Sequence, residues 1–158
     1  MNSFYVTIKG AAQGVFANES TDPTHQPAIA GVRFSMETVA PFDPTSGKRS
    51  GAAQPQPVRF SKAWGAASPQ ILRALVNDEL LISVAFAFVR TDAAAIEDVF
   101  QTVQLDNAAV VDLRRTIDPL IPVASGGGQF LEEVALVYQK LTVTDAAGNT
   151  VASEFWGP

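Results

Sequence analysis

The stretch "LLISVAFAFVR", residues 80–90, alternates at period two: Leu80, Ile82, Val84, Phe86 and Phe88 share one face, and Leu81, Ser83, Ala85, Ala87 and Val89 share the other. Neither face meets a charge before Arg90, so the stretch predicts a central strand covered on both sides. A strand of that kind needs a paired neighbour on each edge and apolar material on each face, which restricts the chain to a layered or closed β structure.

Other segments supply the neighbours. "FYVTIK" places Phe4, Val6 and Ile8 on one face, and "GVRFSMETV" places Val32, Phe34 and Met36 against Arg33, Ser35 and Glu37. Further strands are expected at "DVFQTVQL", "AAVVDLRR", the long "QFLEEVALVYQKLTVTD" and "TVASEFW", the last two joined across "AAGN" by a short hairpin turn. Roughly eight strands and one helix follow, which predicts a mainly β fold, a closed or nearly closed barrel.

The helix is expected within "AWGAASPQILRALVND", residues 63–78. Ser68 is the candidate N-cap, Pro69 suits the first helical position, and the helix runs over about residues 69–77 before Asn77 and Asp78 end it. Ile71, Leu72, Leu75 and Val76 form the apolar face that packs on the strands. Trp64 either anchors the helix entrance against the barrel, with its N–H satisfied at the rim, or stacks a ligand ring.

Between Ala40 and Pro57 lies "APFDPTSGKRSGAAQPQP", with four prolines, two glycines and no periodicity. It predicts a long extended loop with neither strand nor helix, and loops of that length in compact domains are seldom idle. "TSGKRSG" within it lacks the Ser or Thr after Gly-Lys and the opening Gly of a phosphate loop, having Arg49 and Phe42 at those places.

The 158 residues, 47% hydrophobic and 17% charged, predict one domain over residues 1–158 with an adequate core. A net charge of -5 leaves no basic field for nucleic acid. No cysteine is present, so disulfides and thiol chemistry are excluded. The apolar run Leu80–Val89 is about half a membrane span, and the N-terminus lacks a basic segment followed by an apolar one, so neither membrane insertion nor a cleaved signal peptide is expected.

Catalytic readings find little footing. The lone histidine, His25, lies in the turn-rich "STDPTHQPA" and reads as an ordinary surface histidine. Glu97 with Asp98, and Glu132 with Glu133, are adjacent pairs whose members point to opposite faces of a strand and cannot share a proton. "VASGGGQ", residues 123–129, reads as a flexible connector rather than an anion cradle. No catalytic residue, metal or cofactor is implied, and the apolar content exceeds what one small barrel interior needs, which points to surface covered by a partner.

The order of elements resembles the Hcp family, the tube proteins of bacterial type VI secretion systems. The resemblance spans nearly the whole chain, through "FYVTIKG", "DPTSGKRSG", "VRFSKAWGAASPQILRAL", "FQTVQLDNAAVV", "EEVALVYQKLTV" and "GNTVASEFW". The most telling parts are the Ser-Pro helix start behind a basic and an aromatic residue, the Leu105 to Val110 signature, and the alternating run from Glu132 to Leu141. Two departures stand out: Gly65, Ala66 and Ala67 occupy the place of the family's charged Asp-Lys pair, and Val15 that of an acidic residue.

The resemblance implies a compact β-barrel of two antiparallel sheets with one lateral helix. It implies homohexameric rings, stacked into an inner tube that a contractile sheath propels and that carries or chaperones effectors, with sheath, spike and effector proteins as partners. The tube would assemble in the cytoplasm and be secreted without a cleaved signal peptide. The long loop would reach the neighbouring ring, with Asp43, Lys48 and Arg49 pairing across the contact. Two alternatives remain: a phage or phage-derived tail-tube subunit, and a monomeric barrel binding a small apolar ligand among Trp64, Phe86 and Phe88.

Overall fold

A computed structural model describes residues 3–120 and 130–157, so the "VASGGGQ" connector lies outside the described residues. The strands are β1 (Phe4–Gly10), β2 (Gly14–Val15), β3 (Ile29–Ala30), β4 (Arg33–Ser35), β5 (Thr38–Val39), β6 (Phe42–Asp43), β7 (Lys48–Arg49), β8 (Gln54–Pro55) and β9 (Val58–Ala63). The helix α1 (Ser68–Val76) follows, then β10 (Leu81–Thr91), β11 (Glu97–Ile117), β12 (Phe130–Val137), β13 (Lys140–Asp145) and β14 (Thr150–Phe155).

Antiparallel pairing runs β1–β10–β11–β12–β9–β4, and β3 returns to β1. The circuit is therefore bridged by the short segment 29–35 rather than by one long strand. Gly31 N–H donates to Phe4 O at 3.0 Å and Val32 N–H to Ser61 O at 2.8 Å, one bond to each side of the gap. Phe4, Val6 and Ile8 of β1 are buried inside, as their alternation predicts. With them lies an aromatic cluster in which Phe86 meets Phe34 at 5.0 Å and Phe60 at 5.5 Å, both edge-on.

The second face of β10 is covered by the chain itself only in part: Val89 joins Tyr5 and Ala28 in a small separate cluster under the segment that leads into β3, while Ser83, Ala85 and Ala87 are half-buried. The alternation read from the sequence slips at one place. Lys9 pairs with Ser83 but Gly10 pairs with Leu81, leaving Ile82 as an extra residue opposite β1. This bulge turns Leu81 into the core and leaves Leu80 and Ile82 exposed, contrary to the expected face.

Two expected strands are one, and one is two. "DVFQTVQL" and "AAVVDLRR" join as β11, which pairs with β13 up to Asp106, with β10 up to Ala108 and with β12 from Ala109 on. Asn107 has φ 52°, and Asn tolerates that conformation better than most residues, so the strand turns the corner between sheets there. "QFLEEVALVYQKLTVTD" instead breaks at Tyr138 and Gln139 into β12 and β13, which pair with different parts of β11. Val32 and Met36 are exposed, since they flank the residues 33–35 that pair with β9, and pairing resumes only at Thr38 in β5.

The region expected as a loop from Ala40 to Pro57 is a two-stranded arm. Its pairings are Thr38 with Pro55, Val39 with Gln54, Phe42 with Arg49 and Asp43 with Lys48. Pro41, Pro44 and Pro57 fall outside the paired residues, so these prolines do not interrupt the ladder.

At the barrel gap, a Cβ added to Gly31 would overlap the Phe4 ring. Gly31→Ala is expected to lower stability by about 1–3 kcal/mol, read from urea unfolding followed by circular dichroism.

Candidate functional site

Lys62 and Glu132 are register partners on β9 and β12, and both side chains are fully buried. Lys62 continues the inward alternation of Val58 and Phe60, and Glu132 that of Val134 and Leu136, so the two charges share the core face. Their Nζ and Oε1 atoms stand 2.7 Å apart. Lys62 Nζ also donates to Glu19 Oε2 at 2.9 Å and to Ala63 O at 2.9 Å.

The beginning of α1 is built on this cluster. Ser68 is the first helical residue rather than the N-cap, which is Ala67 and makes no side-chain cap bond. Ser68 Oγ is drawn inward instead: it donates to Glu132 Oε1 at 2.7 Å and accepts the Gly65 N–H at 2.9 Å. Glu19 Oε2 accepts the Ala67 N–H at 2.7 Å, so a distant carboxylate serves the helix start. A Cβ on Gly65 would overlap the Glu19 carboxylate, so the small residue at this place is what lets Glu19 approach.

Arg115 Nε lies 3.4 Å from Glu132 Oε2, and its guanidinium rests 4.0 Å above the Trp64 ring. Trp64 donates its Nε1–H to Leu131 O at 2.8 Å and packs 5.2 Å from Phe130. Phe88, by contrast, packs on Phe34 at 4.8 Å, and Phe86 belongs to the same cluster, so Trp64, Phe86 and Phe88 do not converge on one pocket. Glu133, next to Glu132, is half exposed on the opposite face beside Arg59, as the strand geometry requires.

The helix presents a different face from the one expected. Ser68, Ile71 and Ala74 are buried, Pro69 occupies the N-terminal turn and Leu75 packs partly on the core, while Leu72 is 50% and Val76 73% exposed. The small Ala74 lets the backbone approach the barrel, which rotates Leu72 and Val76 outward. With Leu80 they leave an uncovered apolar strip.

The arm is held at its tip and at its root. Asp43 accepts the Thr45 N–H and the Ser46 hydroxyl, each at 2.9 Å, and these bonds, the Thr45 N–H first, keep its carboxyl below the usual range. Arg49 Nε donates to Gly51 O at 2.8 Å, and Lys48 pairs through its backbone with Asp43. At the root, Thr38 Oγ1 lies 2.8 Å from both Glu154 oxygens, and the Tyr138 hydroxyl donates to Glu154 Oε1 at 2.7 Å. Burial, then the bond to Glu154, pushes the Tyr138 phenol well up.

His25 is not an ordinary surface residue. Its side chain is 14% exposed, it stacks on Tyr5 at 4.1 Å, and its Nε2 lies 2.7 Å from Glu97 Oε1.

Lys62→Met removes the cation between two carboxylates and is expected to cost about 3–5 kcal/mol in denaturant unfolding, because Glu132 then stays buried without its buried charge partner, with only the half-exposed Arg115 at 3.4 Å left to it. Adding Glu132→Leu should recover part of the loss, since the buried pair is then replaced by apolar packing.

The family description "Type VI secretion system effector, Hcp" matches residues 5–144. The "Major exported protein" of Pseudomonas aeruginosa is 30% identical over 161 aligned residues, covering 96% of this chain and 94% of that protein. The solved structure of the secreted protein Hcp3 of Pseudomonas aeruginosa matches with a TM-score of 0.78 at 26% identity, covering 98% of each chain. A crystal structure described as Hcp protein matches in fold with a TM-score of 0.89 at 21% identity, again over 98% of each chain.

Proposed function

The chain belongs to the Hcp family and is a tube protein of type VI secretion, and we propose that six copies close into a ring and that rings stack into an inner tube. The observation that carries this reading is the arm: every residue from Pro41 to Gln54 is exposed, and a hairpin of such short ladders gains little stability by itself. An ordered hairpin without a core of its own makes sense as a surface that another copy covers.

Ring closure between identical subunits needs two different surfaces on each copy. The strip of Leu72, Val76 and Leu80 beside α1 supplies one, and the exposed Val151 and Phe155 on the outer strand β14 supply the other. Along the axis, Asp43 is committed to the turn of its own arm, which leaves the Lys48 and Arg49 side chains to pair with acidic groups of the next ring. Sheath, spike and effector proteins are the further partners of this reading, with no catalytic step and no cofactor. Assembly in the cytoplasm precedes export without a cleaved signal peptide, and the exported character of the Pseudomonas aeruginosa relative supports export. Family membership favours secretion over a phage tail.

Leu72→Asp with Val76→Asp should yield monomers in light scattering where the parent chain yields hexamers. Deleting residues 43–51 should leave single rings in negative-stain electron microscopy and abolish their stacking. Loss of the single ring in that deletion would overturn the axial role of the arm.

A further inference from the structure

Three side chains that the tube reading does not use meet beside the segment leading into β3. His25 Nε2 stands 2.7 Å from Glu97 Oε1 and 4.0 Å from Asp22 Oδ2, and the three donor atoms lie within 4.8 Å of one another. Among the described residues, neither carboxylate has a Lys or Arg within ion-pair distance. Two carboxylates thus face one imidazole, half-buried, without a compensating side-chain cation.

The surrounding contacts orient these donors toward one another. The Tyr5 ring lies 4.1 Å from the imidazole and within 10° of parallel, which sets the ring plane. Asp22 Oδ1 accepts the Thr24 N–H at 2.9 Å and the Thr24 hydroxyl at 2.8 Å, while Oδ2 is the oxygen nearer His25. Supporting bonds of this kind orient metal ligands in folded proteins.

We propose that Asp22, His25 and Glu97 bind a divalent transition-metal ion of the zinc class. One imidazole nitrogen and two carboxylate oxygens form a suitable donor set, with a fourth place for water. Bonds of about 2.0–2.2 Å would bring the donors to a little over 3 Å apart, which needs shifts of about 1 Å. Asp22 lies in a turn and Glu97 at the first residue of β11, where such shifts are small adjustments. The ion would clamp the covering segment, which carries Asp22 and His25, to the β10–β11 hairpin.

The sequence makes the test unusually clean, because His25 is the lone histidine and the chain has no cysteine. Tag-free, full-length protein is titrated with zinc against a chromogenic chelator, with magnesium as the control ion. One zinc per chain is expected, with affinity lowered at least about tenfold by His25→Ala and by Glu97→Gln. Circular dichroism and light scattering check that both variants keep the parent fold and size. In the parent chain, zinc and not magnesium should move the two imidazole C–H proton resonances of the lone histidine, a readout that needs no variant. Absence of zinc uptake, equal affinity in folded His25→Ala, or unmoved imidazole resonances at saturation would each overturn the site and leave His25 as a plain hydrogen-bond partner of Glu97.

Discussion

The contact between Lys62 and Glu132 organises more of this fold than any other single interaction. Two charges without solvent cost several kcal/mol each unless polar partners surround them, so their burial constrains their neighbours. Glu19 must reach the ammonium, Ser68 must turn inward, Gly65 must stay small, and Arg115 must approach Glu132 beneath Trp64. The formal charges of Lys62, Arg115, Glu19 and Glu132 sum to zero. The cluster ties β9, β12, β11 and the segment after β2 to the beginning of the one helix, so the helix is positioned by electrostatics as much as by its apolar face.

Gly65, Ala66 and Ala67 carry no charge ahead of the helix, yet its start is not left bare, because Glu19 delivers a carboxylate to the Ala67 N–H and to Lys62 at once. The turn after β1 follows the same logic. Val15 carries no charge, but Glu79 accepts the N–H groups of Ala12 and Gln13 and the Gln13 side chain. Burial works against ionisation of Glu79, and those donors outweigh it, holding its carboxyl below the usual range.

The mainly β class, α1 as the single helix among the described residues, and the inward face of β1 were legible because period-two and helical periodicity report burial directly. The same alternation placed Lys62 and Glu132 on the inward face, a signal obscured by the habit of reading charges as outward. Features set by one residue's conformation were not legible. The Ile82 bulge inverts the expected face of Leu80 to Ile82, and the Asn107 corner merges two strands, because pairing partners rather than local pattern decide where a strand turns. Ser68 failed as a cap for a related reason: capping preference is local, whereas Glu132 waits 64 residues away in the chain. The buried helix face departs from the apolar periodicity because Ala74, not Leu72, is the residue buried against the core. The setting of His25 is not legible locally because its partner Glu97 is equally remote in sequence.

Sites bearing on assembly combine two kinds of surface that behave differently in water. The strip at Leu72, Val76 and Leu80 gains from being covered whatever the partner's exact geometry, because apolar burial is non-directional. The arm is polar and gains only if its hydrogen bonds and charges meet matched groups, so it contributes registration more than adhesion. Its direction is set by Glu154, which joins Thr38 at the arm's root to Tyr138 at the β12–β13 junction. In the proposed tube, a directional arm on a rigid root would require one angular relation between rings while the apolar strip would close each ring. That division would let a ring form before it stacks.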